Sequence, residues 1–337
     1  LRGGEEKVGG EATLNKNVLR RIASLQLQGK DGHDQDLLAI VANDPDTLAK
    51  WSMPLTKEER EARDNAIFDH WLAGETESEV ANNAKLNVGQ VCRILHVLRA
   101  SKCDTIQITE QPPTYNVWNF ATCDPRFGGK YGDLKLKDHP GRIPGQAVLN
   151  LVLWLTEPFD LVVDPMGGGG TTIDVCKYAL RRYQCFDIEP RRPDIGRHDI
   201  RQGYPKLPCK PKFILLDPPY WRLKREKYSE DGVASLSYLE WKGFMKKLAI
   251  DTYKTLSKGG TVALFIQSFL DEWESGEYIF ANYDCLNLFR DAKFKAIMEI
   301  SVNMTSQNKD FRDVLWAKKN QKLLSIKRDV LVFQKPK

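Results

Sequence analysis

Leu161-Val162-Val163-Asp164-Pro165-Met166-Gly167-Gly168-Gly169-Gly170-Thr171-Thr172 is the stretch on which the reading of this 337-residue chain turns. Leu161–Asp164 reads as an apolar strand, and Thr171 opens a helix that runs to Leu180. Between them, four glycines let the backbone adopt positive φ and approach a ligand closely, while the helix N-terminus offers free N–H groups to a carboxylate. The turn lacks the Lys of a phosphate-binding loop, which disfavours a nucleoside triphosphate.

Downstream, strands and helices alternate. Tyr183–Asp187, Phe213–Asp217, Thr261–Gln267, Lys295–Val302 and Asp329–Gln334 read as strands, with helices at Tyr238–Leu256 and Asp284–Ala292. Such alternation predicts an α/β fold with a doubly wound sheet. A hydrophilic stretch joins the last two strands, which fits a closing antiparallel hairpin. Asp187 ends its strand roughly 20 residues beyond Asp164, where nucleotide-type cofactor sites set an acid against ribose hydroxyls. Glu189 is the second candidate for that role.

The strand Phe213–Leu216 runs into Asp217-Pro218-Pro219-Tyr220. Two prolines fix the backbone at a strand end, in the crevice where open α/β sheets bind ligands. An exocyclic amine is a poor nucleophile because its lone pair is delocalised into the ring. Asp217 and the carbonyl of Pro218 would accept its two N–H bonds and stabilise the cationic amine that forms as it attacks. Tyr220 would stack on the base.

These residues together resemble the DNA amino-methyltransferase family, over roughly residues 113–337. Asp164, Pro165, Met166, Gly168, Gly170, Thr171 and Thr172 look like its cofactor motif, Asp187 its ribose acid, Asp199 its acid beside the cofactor adenine, and Asp217-Pro218-Pro219-Tyr220 its catalytic motif. Trp118-Asn119-Phe120 through His139-Pro140-Gly141-Arg142-Ile143-Pro144 resembles the family's cofactor wall. The resemblance implies a Rossmann-like methyltransferase sheet, S-adenosyl-L-methionine as cofactor, and double-stranded DNA with a flipped target base as partner. It also implies adenine N6 as acceptor, because an Asp heads the motif. Cytosine N4 is the alternative, followed by an RNA base amine and by a non-catalytic DNA-binding regulator.

Two departures from the family pattern stand out. Met166 replaces the usual Phe, and no sizeable target-recognition region follows the catalytic motif. The short segment Trp221–Tyr228 mixes cations and aromatics, so Arg222, Lys224 and Arg225 are candidate phosphate contacts. Arg181-Arg182 and Lys318-Lys319 read as solvated charge.

Upstream, Thr56-Lys57-Glu58-Glu59 and Thr76-Glu77-Ser78-Glu79 read as capping boxes, and Asn87 as the cap of a third helix carrying Val88, Val91, Ile94, Leu95 and Leu98. Ala81 takes the small site where two helices touch. Residues 56–100 resemble the helix-turn-helix of chromosome-partitioning proteins and phage repressors, a small all-α domain in which Gln90 and Arg93 would face DNA. Lys85 stands where such motifs often have Gly. Residues 1–55 carry weak helical signals at Asn17–Leu27 and Asp36–Ala42, residues 101–115 form a Pro-rich linker, and residues 116–337 form the methyltransferase domain.

The net charge of +5 suits a polyanionic partner, and 42% hydrophobic with 28% charged residues is an ordinary globular balance. No window is apolar enough for a membrane span, so a cytoplasmic, nucleoid-associated protein is expected. The seven cysteines form no Cys-x-x-Cys pair and sit near no His at zinc spacing, so no metal is expected. Cys92, Cys176 and Cys185 fall in apolar stretches and read as small buried hydrophobes.

Overall fold

The computed structural model describes residues 16–28, 53–106, 108, 110–120, 126–127, 143–218, 233, 236–270, 276–303 and 311–337. The chain divides into two compact units, one of residues 1–71 and 75–106 and one of residues 72–74 and 107–337. The expected helix at Asp36–Ala42 lies outside the described residues.

The first unit is helical. It contains α1 (Lys16–Leu27), α2 (Lys57–Leu72), α3 (Glu77–Ala84) and α4 (Val88–Thr105). The Thr56 hydroxyl accepts from the Glu59 N–H while the Glu59 carboxylate accepts from the Thr56 N–H, closing the first capping box. Thr76 with Glu79 and Asn87 with Gln90 close the other two. The α3–α4 turn passes through Lys85 at φ 53°, the left-handed position that glycine favours. Ile67, Phe68, Trp71, Val80, Ala81, Val91 and Leu95 are buried. The helix α4 runs to Thr105, so the first part of the expected linker is helical. Cys92 is exposed, contrary to expectation, because it lies one residue off the buried Val91–Leu95 stripe.

The second unit carries β1 (Val117–Asn119), α5 (Gly145–Leu155), β2 (Leu161–Asp164), α6 (Thr171–Tyr178), β3 (Arg182–Asp187), β4 (Gly196–Arg197) and β5 (Phe213–Leu216). They are followed by α7 (Tyr238–Thr255), β6 (Thr261–Ile266), the short β7 (Phe269–Leu270) and β8 (Tyr278–Ile279), and α8 (Ala281–Asp291). The unit ends with β9 (Lys295–Asn303), α9 (Phe311–Asn320) and β10 (Lys327–Gln334). Among the described residues the main sheet has the order β1-β9-β10-β6-β5-β2-β3-β4. The central strands β6, β5, β2, β3 and β4 are parallel, and β10 runs antiparallel to both β6 and β9. This is the expected doubly wound sheet with its closing hairpin. The hairpin connection contains the helix α9, which its hydrophilic sequence did not suggest.

The central strands bury both faces, and alternate residues serve opposite layers. Val162, Phe213, Leu215, Ala263 and Phe265 pack on the α5–α6 side. Val163, Ile214, Leu216, Leu264 and Ile266 pack on the α7–α8 side, with Trp241, Met245 and Phe289. The chain leaves β2 for β3 on one side and returns through β5 on the other, so β2 and β5 flank the topological switch point. Open sheets of this kind bind ligands in the crevice outside the carboxyl ends of those strands. Among the described residues no helix is long and apolar enough to cross a membrane.

Candidate active site

Asp164, Asp187 and Asp217 stand at the carboxyl ends of β2, β3 and β5, side by side at the switch point. Asp164 is buried and braces the glycine turn from beneath. Its carboxylate accepts from the Met166 N–H at 3.0 Å and from the Thr172 hydroxyl at 2.6 Å, tying the start of the turn to the start of α6. Burial pushes its pKa up to about 7, against the lowering effect of those two hydrogen bonds, and the negative charges of Asp217 and Asp187 add to the rise.

The turn follows from its sequence. Pro165 is buried and Met166 half-buried against the α7–α8 core. Gly168 at φ 48° and Gly170 at φ 80° take left-handed conformations, and the Gly170 N–H closes onto the Gly167 carbonyl at 2.8 Å. Asp187 reaches across from β3: Oδ2 accepts from the Gly168 N–H at 2.9 Å and Oδ1 from the Glu189 N–H at 2.9 Å. A carboxylate has about four acceptor positions, so Asp187 keeps capacity for further donors.

Sequence reasoning missed Arg192. Its buried guanidinium forms ion pairs with Asp174 at 2.9 Å and Asp194 at 2.9 Å and donates to the Gly170 carbonyl at 3.2 Å. It thereby clamps the turn to α6. Burial opposes its charge, but the two carboxylates outweigh that effect and raise its pKa. A Cβ on Gly170 would lie 2.6 Å from the Arg192 Nη1, so this glycine is required by contact as well as by φ. The cue in sequence was Arg192 two residues before Asp194, a pair easily read as surface charge.

Asp199 caps a short 3₁₀ turn, Ile200–Gln202, after β4, and pairs with Arg201 at 2.8 Å. The Arg201 hydrogen bond lowers its pKa. Trp118 and Phe120 of the expected cofactor wall pack against each other at 6.0 Å, with Trp118 buried in the α5–α6 core.

Asp217 follows β5 directly and Pro218 is buried beside it. The Arg328 guanidinium, at the start of β10, lies 3.7 Å from the Asp217 carboxylate. Pro219, Tyr220, Arg222, Lys224 and Arg225 lie outside the described residues. In the helical unit, Gln90 is turned back into its own helix start, where its side-chain oxygen accepts from the Asn87 N–H at 3.1 Å, while Arg93 is exposed. Arg181 and Arg182 are buried, contrary to expectation. Arg181 donates to the Thr156 hydroxyl at 3.0 Å and to the carbonyls of Thr156 and Ala179 at 2.6 Å, which offsets the loss of water.

Residues 33–197 match the model of a family described as DNA methylase. The DNA methylase match contains Asp164, the glycine turn and Asp187 and ends before Asp217. The chain is also similar to the type II methyltransferase M.BglII of Bacillus subtilis, at 30% identity over 99 residues. That alignment spans 26% of this chain and 28% of the length of that relative. Among solved structures, the DNA modification methylase TTHA0409 of Thermus thermophilus with S-adenosyl-L-methionine is 13% identical at a TM-score of 0.29, covering 41% of this chain and 50% of that one. The N-methyltransferase NodS of Bradyrhizobium japonicum with S-adenosyl-l-homocysteine is 14% identical at a TM-score of 0.38, covering 60% and 91%.

Proposed function

We propose that this chain methylates the exocyclic amine of a base in DNA, with S-adenosyl-L-methionine as methyl donor. The observation that carries the reading is the juxtaposition, at the switch point of the sheet, of a glycine turn braced by Asp164 and Asp187 with the Asp217-Pro218 strand end, in a chain whose residues 33–197 match a DNA methylase model.

The chain's own residues fit such a cofactor. Gly168 and Gly170 leave the turn without side chains, and the first N–H groups of α6 face a carboxylate-binding position. The free acceptor capacity of Asp187 suits ribose hydroxyls, and Met166 gives an apolar contact. When bound, the cofactor supplies an electrophilic methyl group. Asp217 and the Pro218 carbonyl accept the N–H bonds of the target amine, hold its lone pair toward that methyl, and stabilise the charge that grows on nitrogen. The acceptor is adenine N6, with cytosine N4 as the alternative: both amines meet the same two acceptors, and the Asp at the head of the motif favours adenine by family resemblance. The target base is flipped out of duplex DNA, at a cost of a few kcal/mol. Exposed Arg93 on α4, together with Arg222, Lys224 and Arg225, holds phosphates.

Asp217→Ala tests the central role. Turnover falls to background while cofactor affinity, measured by titration calorimetry, stays within about threefold; a variant with wild-type turnover removes Asp217 from the chemistry.

A further inference from the structure

We propose that Arg328 is a positioning residue for this reaction, holding Asp217 ionised and aimed at the target amine. The inference rests on the proposed function and adds a partner for its central acid. Sheet register places the two residues together. Leu216 of β5 pairs with Leu264 of β6, and Ile266 of β6 pairs with Asp329 of β10, so Arg328 and Asp217 both stand at the carboxyl edge of the sheet. Strand alternation puts them on the same face: Phe213 and Leu215 lead to Asp217, and Val330 and Val332 follow Arg328, all on the α5–α6 side. The guanidinium Nη1 lies 3.7 Å from Asp217 Oδ2, with the Arg328 side chain 5% and that of Asp217 19% exposed.

The neighbourhood explains why a permanent cation is needed there. Asp164 of β2, Asp187 of β3 and Asp217 after β5 form a run of three acids along one edge, and the other two carboxylates already make Asp164 harder to ionise. The adjacent cation, Lys327, points to the opposite face, where it pairs with Asp329 at 2.8 Å in a network with Asn282 and Ser301. Arg328, by contrast, faces Asp217. A protonated Asp217 would present an O–H to the amine and lose an acceptor, so the reaction needs the carboxylate. An arginine stays charged at any working pH and is more weakly hydrated than a lysine, which suits a buried partner.

The test uses the full chain and a duplex oligonucleotide. Arg328→Met is expected to lose on the order of 100-fold in kcat, as when a preorganised electrostatic group is removed. Cofactor affinity stays within about threefold. The acid limb of kcat/KM moves up by about one pH unit or more, because a half-buried carboxylate that loses a neighbouring cation becomes harder to ionise. Arg328→Lys restores part of both. A rate within about threefold of wild type, or a lost rate with an unmoved acid limb, overturns the proposal. The second measurement needs neither activity nor a variant that folds: a carbon-13 carboxyl titration of Asp217 in the wild-type protein. A pKa below the ordinary value of about 3.9 supports the pair and a value above it overturns the proposal. If the wild-type chain methylates no DNA, the proposed function fails while this titration still decides the pair.

Discussion

Asp164 makes the stability of this fold depend on pH in a direction opposite to that of a surface carboxylate. Its pKa stands near 7 in the folded chain, against about 3.9 in an unfolded one. Folding therefore takes up a proton between those values. The stabilisation is fully present below about pH 4 and is lost as pH rises through 7. A tenfold change in proton affinity is worth about 1.36 kcal/mol, so the ceiling is about 4 kcal/mol, of which about 2–3 kcal/mol falls between pH 5 and 8. Asn at this position keeps an acceptor for the Met166 N–H and can donate to the Thr172 hydroxyl, but it does not titrate. Urea unfolding of wild type and Asp164→Asn at pH 5, 6, 7 and 8 gives a stability difference in which other titrating groups cancel. Wild type is expected to lose about 2–3 kcal/mol relative to the variant across that range. Two curves that run parallel from pH 5 to 8 would refute the reasoning.

Arg192→Met leaves Asp174 and Asp194 without their shared buried cation and frees the glycine turn. A loss of about 3 kcal/mol in urea unfolding is expected, together with weaker cofactor binding in calorimetry; a change under about 0.5 kcal/mol would contradict the clamp. Arg181→Met removes its hydrogen bonds to Thr156 and Ala179 at the opposite end of α6 and should reduce stability by about 2–3 kcal/mol. Its kcat per folded molecule should match wild type, and a large fall in kcat would show that the residue reaches the site.

β2, β5 and β6 were legible because each is a run of apolar residues bounded by turn residues, and burial on both faces leaves such runs little choice, whereas the two-residue strands β4, β7 and β8 carry no such pattern. The glycine turn, Asp164, Asp187 and Asp217 were legible for a similar reason, since the strand ends that define the crevice can be read locally. Arg192, Arg181 and Arg328 were not, because a buried cation is identified by its partners. Asp217 is more than a hundred residues from Arg328 in sequence, and the sheet alone brings them together. β1 is a three-residue strand whose partner, β9, lies far downstream, so no local pattern marks it. α5 is apolar around most of its circumference and lacks the polar face that distinguishes a surface helix from a buried run. Gln90 illustrates a different limit. Its position on the polar side of α4 suggested a nucleic-acid contact, yet the same position is the third of a capping box, and the local hydrogen bond takes the side chain.

The central claim is methyl transfer to a base amine in DNA, and its most direct test is incubation with labelled S-adenosylmethionine and either unmethylated genomic DNA or total RNA, followed by nucleoside mass spectrometry. The account predicts label in N6-methyladenine from DNA, with N4-methylcytosine naming the other acceptor of the same scheme; label in RNA alone, or none from a chain that binds the cofactor, would contradict it.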